Sequence, residues 1–180
     1  LYLMTLADHS VARLSGDALG CSDAVWSQDG RRIAFRARPV AGADETILTV
    51  EPGAPPRTLL PARARDGSLR TLRPLGWSPD HRAVLVAING AAPALVSVDV
   101  DSGLDTALAT DLLIEGGVRF APGGRALYAL AREREPDLRG DRDNLCRLWY
   151  VDFASGTRRA LAPTLPWDIE RFAVSDDGRS

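Results

Sequence analysis

Apolar residues fall in short strand-like runs separated by clusters of Ser, Asp, Pro and Gly. Ile33-Ala34-Phe35, Val84-Leu85-Val86 and Leu127-Tyr128-Ala129-Leu130 each follow the same punctuation. That punctuation is a four-residue turn: Ser27-Gln28-Asp29-Gly30, Ser78-Pro79-Asp80-His81, Ala121-Pro122-Gly123-Gly124 and Ser175-Asp176-Asp177-Gly178. An aromatic or β-branched residue precedes each copy, and Arg31, Arg82, Arg125 or Arg179 follows it. The preceding residues Trp26, Trp77, Phe120 and Val174 stand 51, 43 and 54 residues apart. Ser suits the first position of a type I turn and Pro the second, as at Pro79 and Pro122. Gly at the fourth position takes a left-handed bulge without a Cβ penalty. Each turn is therefore expected to join the first and second strands of a sheet.

A second pattern lies between these turns. Leu148 to Phe153 runs through Ala154-Ser155-Gly156 into Thr157 to Leu161. Val96 to Val100 does the same through Asp101-Ser102-Gly103, and Ile47 to Val50 through Glu51-Pro52-Gly53. Strand, Gly-bearing turn and strand predict a hairpin of third and fourth strands. A shift of 147 residues lays Leu1 on Leu148, Tyr2 on Trp149, Leu6 on Phe153 and Leu14 on Leu161, so residues 1–14 join the series. A hairpin repeat of this period predicts an all-β chain of four-stranded propeller blades. The expected parts are a half blade at 1–14, blades at 21–60, 70–110 and 114–162, and the start of another at 169–180. Three complete blades with partial blades at both ends predict a β-propeller fragment of a longer chain, since closed propellers hold about four to eight blades. Trp26, Trp77 and Phe120 are expected to be largely buried at equivalent positions.

Composition narrows the partners. The hydrophobic fraction is 45%, which suits a packed chain. Net charge is −2 with no one-signed block, which argues against a nucleic-acid or anionic-membrane surface. All 22 basic side chains are Arg, a usage that fits a GC-rich coding bias. No apolar run is long enough for a transmembrane helix. Cys21 and Cys146 form no metal or redox spacing, and both are expected as buried free thiols.

Candidate chemistry is sparse. His9 and His81 fall where the repeat otherwise has a turn Gly, which predicts surface turn residues with positive φ. Gly76-Trp77-Ser78-Pro79-Asp80 resembles a nucleophile elbow, but it lacks the second Gly and runs into a strand where an elbow needs a helix. No Ser-His-Asp triad can be assembled. Asp99/Asp101 and Asp141/Asp143/Asn144 lack the ligand spacing of a calcium loop. Asp99 and Asp152 are repeat-equivalent, which points to a turn hydrogen bond. The insertion from Arg132 to Asn144 predicts a solvated loop, with a docking or gating loop as the functional alternative. Trp167-Asp168-Ile169-Glu170 precedes a first strand; packing of Trp167 on the next blade is expected over peptide binding. No catalytic, cofactor-binding or metal residue is assigned.

The stretch from Leu161-Ala162-Pro163 through Pro166-Trp167-Asp168-Ile169-Glu170 to Phe172-Ala173-Val174-Ser175-Asp176-Asp177-Gly178-Arg179 resembles the propeller of the prolyl oligopeptidase family. The bacterial dipeptidyl aminopeptidase and acylaminoacyl peptidase branch is the most similar, and the Leu148 to Gly156 hairpin resembles the same region. The turns also resemble the TolB-like propeller repeat. The resemblance implies a non-catalytic propeller that gates or orients peptide substrate. A covalently linked α/β-hydrolase domain outside this chain would carry the serine peptidase triad. The compartment would be bacterial cytoplasm or periplasm. The alternative is a stand-alone TolB-like scaffold that binds protein partners.

Overall fold

The computed structural model describes residues 1–90, 92–133, 145–153 and 155–175. They form fourteen strands, and no helix occurs among the described residues. A two-stranded ribbon pairs β1 (Tyr2–Met4) with β2 (Val11–Arg13). The first four-stranded sheet joins β3 (Leu19–Trp26), β4 (Ile33–Arg38), β5 (Thr46–Val50) and β6 (Arg57–Leu60) in chain order. The second holds β7 (Thr71–Trp77), β8 (Ala83–Asn89), β9 (Ala94–Asp99) and β10 (Asp105–Thr110). The third holds β11 (Leu112–Phe120), β12 (Ala126–Glu133), β13 (Arg147–Asp152) and β14 (Arg158–Leu161). Each is a meander of neighbouring strands, the topology of a propeller blade. The all-β fold, with three four-stranded blades and a two-stranded ribbon before them, is thus the one the repeat predicts.

Register follows the repeat closely. Trp26 pairs with Ile33 and Ile33 with Val50, as Phe120 pairs with Leu127 and Leu127 with Val151. In the ribbon, Tyr2 faces Arg13 and Met4 faces Val11. Trp149 faces Ala160 and Val151 faces Arg158 at the positions 147 residues further on. Between 162 and 175 no strand forms among the described residues, and the end of the fourth turn copy lies outside them.

By packing, the chain divides into two compact units, Leu1–Val86 with Val98–Asp105, and Ala87–Ser97 with Thr106–Ser180. In the first, Leu14, Ala18, Ile33, Phe35, Ala37, Leu48 and Val50 make a buried cluster flanked by half-buried Leu1, Leu3 and Cys21. In the second, Leu112, Ile114, Leu127, Ala129, Leu130, Ala131, Trp149 and Val151 are buried. The ladder of β11 and β12 is interrupted between Ile114 and Val118. There Gly116 lies so near Leu130 that a Cβ would come within 2.9 Å of its side chain. A side chain at 116 would force Leu130 or the backbone beside it to shift.

The three repeat aromatics differ in burial. Trp77 is 3% exposed, and its Nε1–H donates to the Val25 carbonyl at 3.0 Å. Phe120 is half-buried, edge-on to Phe153 with centroids 6.1 Å apart. Trp26 is 46% exposed, which corrects the expectation that all three are buried. Strand β7 packs on β3, so Trp77 has a four-stranded sheet to enter. Among the described residues only the β1–β2 ribbon precedes β3, which leaves Trp26 without such a sheet. Of the ribbon's apolar side chains, Tyr2 and Leu6 face solvent, whereas Leu3 is half-buried on the core.

Trp77→Ala is expected to cost about 3–5 kcal/mol, the range for emptying a buried aromatic site. Trp26→Ala is expected to cost about 1 kcal/mol or less. Urea unfolding of the two variants checks the order; equal losses would contradict the asymmetry.

Candidate functional site

Three copies of the repeated turn lie among the described residues, and they share one hydrogen-bond pattern. The fourth N–H donates to the first carbonyl: Gly30 to Ser27 at 3.0 Å, His81 to Ser78 at 2.9 Å, Gly124 to Ala121 at 2.9 Å. The fourth residue is left-handed each time, with φ of 69° at Gly30, 60° at His81 and 69° at Gly124. Ser27 Oγ donates to Asp29 Oδ1 at 2.6 Å and accepts from the Arg32 N–H at 2.9 Å. Ser78 Oγ donates to Asp80 Oδ1 at 2.6 Å and accepts from the Ala83 N–H at 2.9 Å. Ser78 thus sits in a strand–turn–strand, with its hydroxyl spent on the turn. The Gly76-Trp77-Ser78 elbow has no helix behind it.

The hairpin turns between third and fourth strands are closed in a related way. Asp99 Oδ1 accepts from the Ser102 N–H at 2.8 Å and its hydroxyl at 2.7 Å. Asp152 Oδ1 accepts from the Ser155 N–H at 2.8 Å and its hydroxyl at 2.9 Å. These are the Asx-type turns that the repeat equivalence implies. Hydrogen bonding holds several of these carboxyls below their ordinary range. The Ser27 hydroxyl does so first for Asp29, the Ser78 hydroxyl for Asp80, and the Ser102 N–H for Asp99.

Both histidines occupy left-handed positions, His9 at φ 57° and His81 at φ 60°. His9 is exposed, whereas His81 is half-buried with its Nδ1 enclosed and without a hydrogen-bond partner. Among the described residues neither imidazole bonds to a serine. The positive-φ expectation holds for both; the surface expectation holds fully only for His9.

The segment after β14 departs from expectation. Trp167 is 64% exposed instead of packed on a blade. Its backbone, however, is fastened. Arg147 Nη1 donates to the Trp167 carbonyl at 2.9 Å, and the Ile169 N–H donates to the Cys146 carbonyl at 3.0 Å. Asp168 Oδ1 accepts from the Cys146 N–H at 2.5 Å, and its Oδ2 lies 3.3 Å from Arg132 Nη2. The Cys146 N–H is the main cause that holds the Asp168 carboxyl low. Arg132 Nε also lies 3.5 Å from Glu115. No local motif announces Asp168 as the acceptor for an amide 22 residues away; only the run of polar residues beside Trp167 marks the place.

Both cysteines are free. Cys146 is buried, and burial pushes its thiol up, so it is an inert core group. Cys21 is half-buried, since β3 is covered less completely than β13. Residues 134–144 of the long insertion, with Asp141, Asp143 and Asn144, lie outside the described residues. Among the described residues no three His, Cys, Asp or Glu side chains gather at a possible metal position. A cavity of about 90 Å³ is lined by Arg32, Thr49, Glu51, Ala54, Pro55 and Arg57. It holds an Arg32–Glu51 ion pair at 3.0 Å and no nucleophile–base pair.

No protein-family model matches the sequence, and no curated protein does. Solved structures do match. TolB from Acinetobacter baumannii superposes with a TM-score of 0.64 at 18% identity, over 89% of this chain and 36% of that one. The fold is that of a TolB-like β-propeller. The propeller domain of the Trilobed protease from Pyrococcus furiosus gives 0.58 at 14% identity, over 89% of this chain and 48% of that one. Oligogalacturonate lyase from Vibrio parahaemolyticus gives 0.61 at 15% identity, over 89% and 45%. The chain thus spans between about a third and a half of the length of these propellers. At these identities the likeness establishes the architecture alone, and its hosts differ in chemistry.

Two outcomes follow from the turns. His81→Gly keeps the left-handed backbone and removes its Cβ strain, so stability is expected to be unchanged or to rise by about 0.5–1 kcal/mol. Thermal unfolding checks it, and a clear loss would mean that the imidazole is structural. Asp29, Asp80 and Asp99 hold protons less tightly folded than unfolded. Their contribution is therefore complete above the unfolded value of 3.8 and is lost as pH falls through the lower folded values. Urea midpoints measured from pH 6 to 2 should fall in that acid window, and the fall should be shallower in an Asp29→Asn/Asp80→Asn/Asp99→Asn variant.

Proposed function

We propose that this chain is the non-catalytic propeller of a larger serine peptidase of the prolyl oligopeptidase kind, where it gates or orients peptide substrate for a linked hydrolase domain. The observation that carries this reading is the fastened loop that presents Trp167. An exposed indole on a backbone tied by Arg147 and Asp168 is a pre-ordered apolar contact, which suits an extended peptide. The turn serines spend their hydroxyls on the turns and neither imidazole bonds to a serine among the described residues, so on this reading the chemistry belongs to another domain. The likeness to the Trilobed protease propeller supports the same reading.

The second reading is a stand-alone TolB-like scaffold that binds protein partners, and the superposition on TolB favours it. The gene beyond Ser180 separates the two. A segment with a Gly-x-Ser-x-Gly elbow followed by Asp and His supports the peptidase. A stop soon after propeller closure, with an export signal upstream, supports the scaffold.

The purified 180-residue chain is expected to hydrolyse no peptide or ester substrate. The longer polypeptide is expected to cleave short peptides, with loss of activity to a serine-directed inhibitor. Turnover by the short chain that a serine-directed inhibitor abolishes would place a nucleophile here and overturn the assignment.

A further inference from the structure

One row of side chains crosses all four strands of the third sheet: Arg119 pairs with Tyr128, Tyr128 with Tyr150, and Tyr150 with Arg159. The tyrosine rings meet edge-on, 5.5 Å between centroids, and the Arg159 guanidinium lies over Tyr150 at 5.2 Å. Arg119 donates through Nη1 to the Val118 carbonyl. Both arginines are exposed and both tyrosines half-buried.

The first sheet carries the same row with other residues. Val25 pairs with Ala34, Ala34 with Thr49, and Thr49 with Arg57. Register makes Val25 equivalent to Arg119 and Arg57 to Arg159, since Trp26–Ile33 and Phe120–Leu127 are the adjoining pairs. That row is covered: Ala34 is 0% and Thr49 4% exposed. What covers it is the following blade. Trp77 Nε1 donates to the Val25 carbonyl, and Arg57 Nη2 donates to the Val100 carbonyl at 2.7 Å and lies 3.8 Å from Asp101.

From this equivalence we infer that the Arg119–Tyr128–Tyr150–Arg159 face is the docking surface for a further blade of the same polypeptide. That blade supplies a donor to the Arg119 carbonyl and a carboxylate-bearing turn to Arg159. The inference rests on the proposed reading that this chain is part of a longer propeller, and it adds the chemistry of the contact. Small Ala34 is replaced by Tyr128, Thr49 by Tyr150 and Val25 by Arg119, so this joint is aromatic and carries a second guanidinium where the first is tight and carries Arg57 alone. The incoming face is therefore expected to be acidic and to carry small side chains opposite the two rings.

Tyrosine nitration by tetranitromethane, mapped by peptide mass, tests it on the 180-residue chain and on the longer polypeptide. Tyr128 and Tyr150 are expected to react in the short chain and to be protected several-fold in the long one. Arg159→Glu in the long polypeptide should restore nitration of Tyr150, and Arg159→Ala should restore it less. Equal reactivity of both tyrosines in the two wild-type proteins overturns the inference without reliance on any variant. So does protection in the short chain that grows with its concentration, since the face would then belong to a second copy. Peptidase activity is measured in parallel. Protection without activity keeps the docking surface and removes the peptidase, whereas activity without protection does the reverse.

Discussion

Every residue of β5 is buried, and that constraint organises the molecule. A strand buried at consecutive positions has an apolar surface on both faces of its sheet. Such a sheet cannot stand with one side in water; it must be covered twice. In the first unit one cover comes from β7 with Trp77, and another from Leu14, Ala18 and the half-buried Leu1 and Leu3. Stacked blades are the solution to a sequence that repeats a two-faced sheet, because each copy supplies the cover its neighbour lacks. Strand β12 carries the same burden, buried at five of its eight positions.

The polar residues answer a second demand, that of closing hairpins in the correct register. A slip of one residue would exchange the faces of a strand, so the turn must define the pairing. The Ser hydroxyl does this from the middle of its bonds: it accepts the N–H that opens the next strand and donates to the Asp two residues on. The left-handed fourth residue completes the reversal, and at His81 the chain accepts a non-glycine there. Serine, aspartate and histidine, the residue types of hydrolytic catalysis, are thus placed by backbone needs. Proximity of Ser78, Asp80 and His81 in sequence reflects a turn and not a relay.

Most of the fold was legible because the repeat is local. Turn type, strand order within a sheet and pairing register follow from residues a few positions apart, which is why a 147-residue shift maps the ribbon onto β13 and β14. What the repeat does not encode is the neighbour. Trp26 and Trp77 hold the same place in their own blades, yet only Trp77 meets a four-stranded sheet, so only one is buried. Trp167 fails for the same reason: its packing depends on what lies beside it, whereas its backbone is set by Arg147, Asp168 and Cys146. That clasp joins residues about twenty positions apart and has no periodic signal. The bulge at Gly116 was equally silent, since the need for glycine comes from Leu130 on the adjacent strand.

Function is harder to read than fold for a related physical reason. A propeller is specified by burial and turn closure, and these consume the regular positions of the sequence. Whatever is recognised must be read from the irregular ones: loops, exposed aromatics and faces whose residues depart from the repeat. Propellers of a TolB, a protease and a lyase all superpose on this chain, so the regular positions carry no choice among them. The departures do. Tyr128 and Tyr150 stand where a tightly packed joint has Ala34 and Thr49. A fastened backbone presents Trp167 to solvent, where an ordinary blade connection needs no indole. Exposing an indole forgoes the stabilisation of its burial, and fastening its loop lowers the entropy lost when a partner binds. Those two features together support the proposed recognition role, and both belong to the third sheet and the loop fastened at the start of its β13.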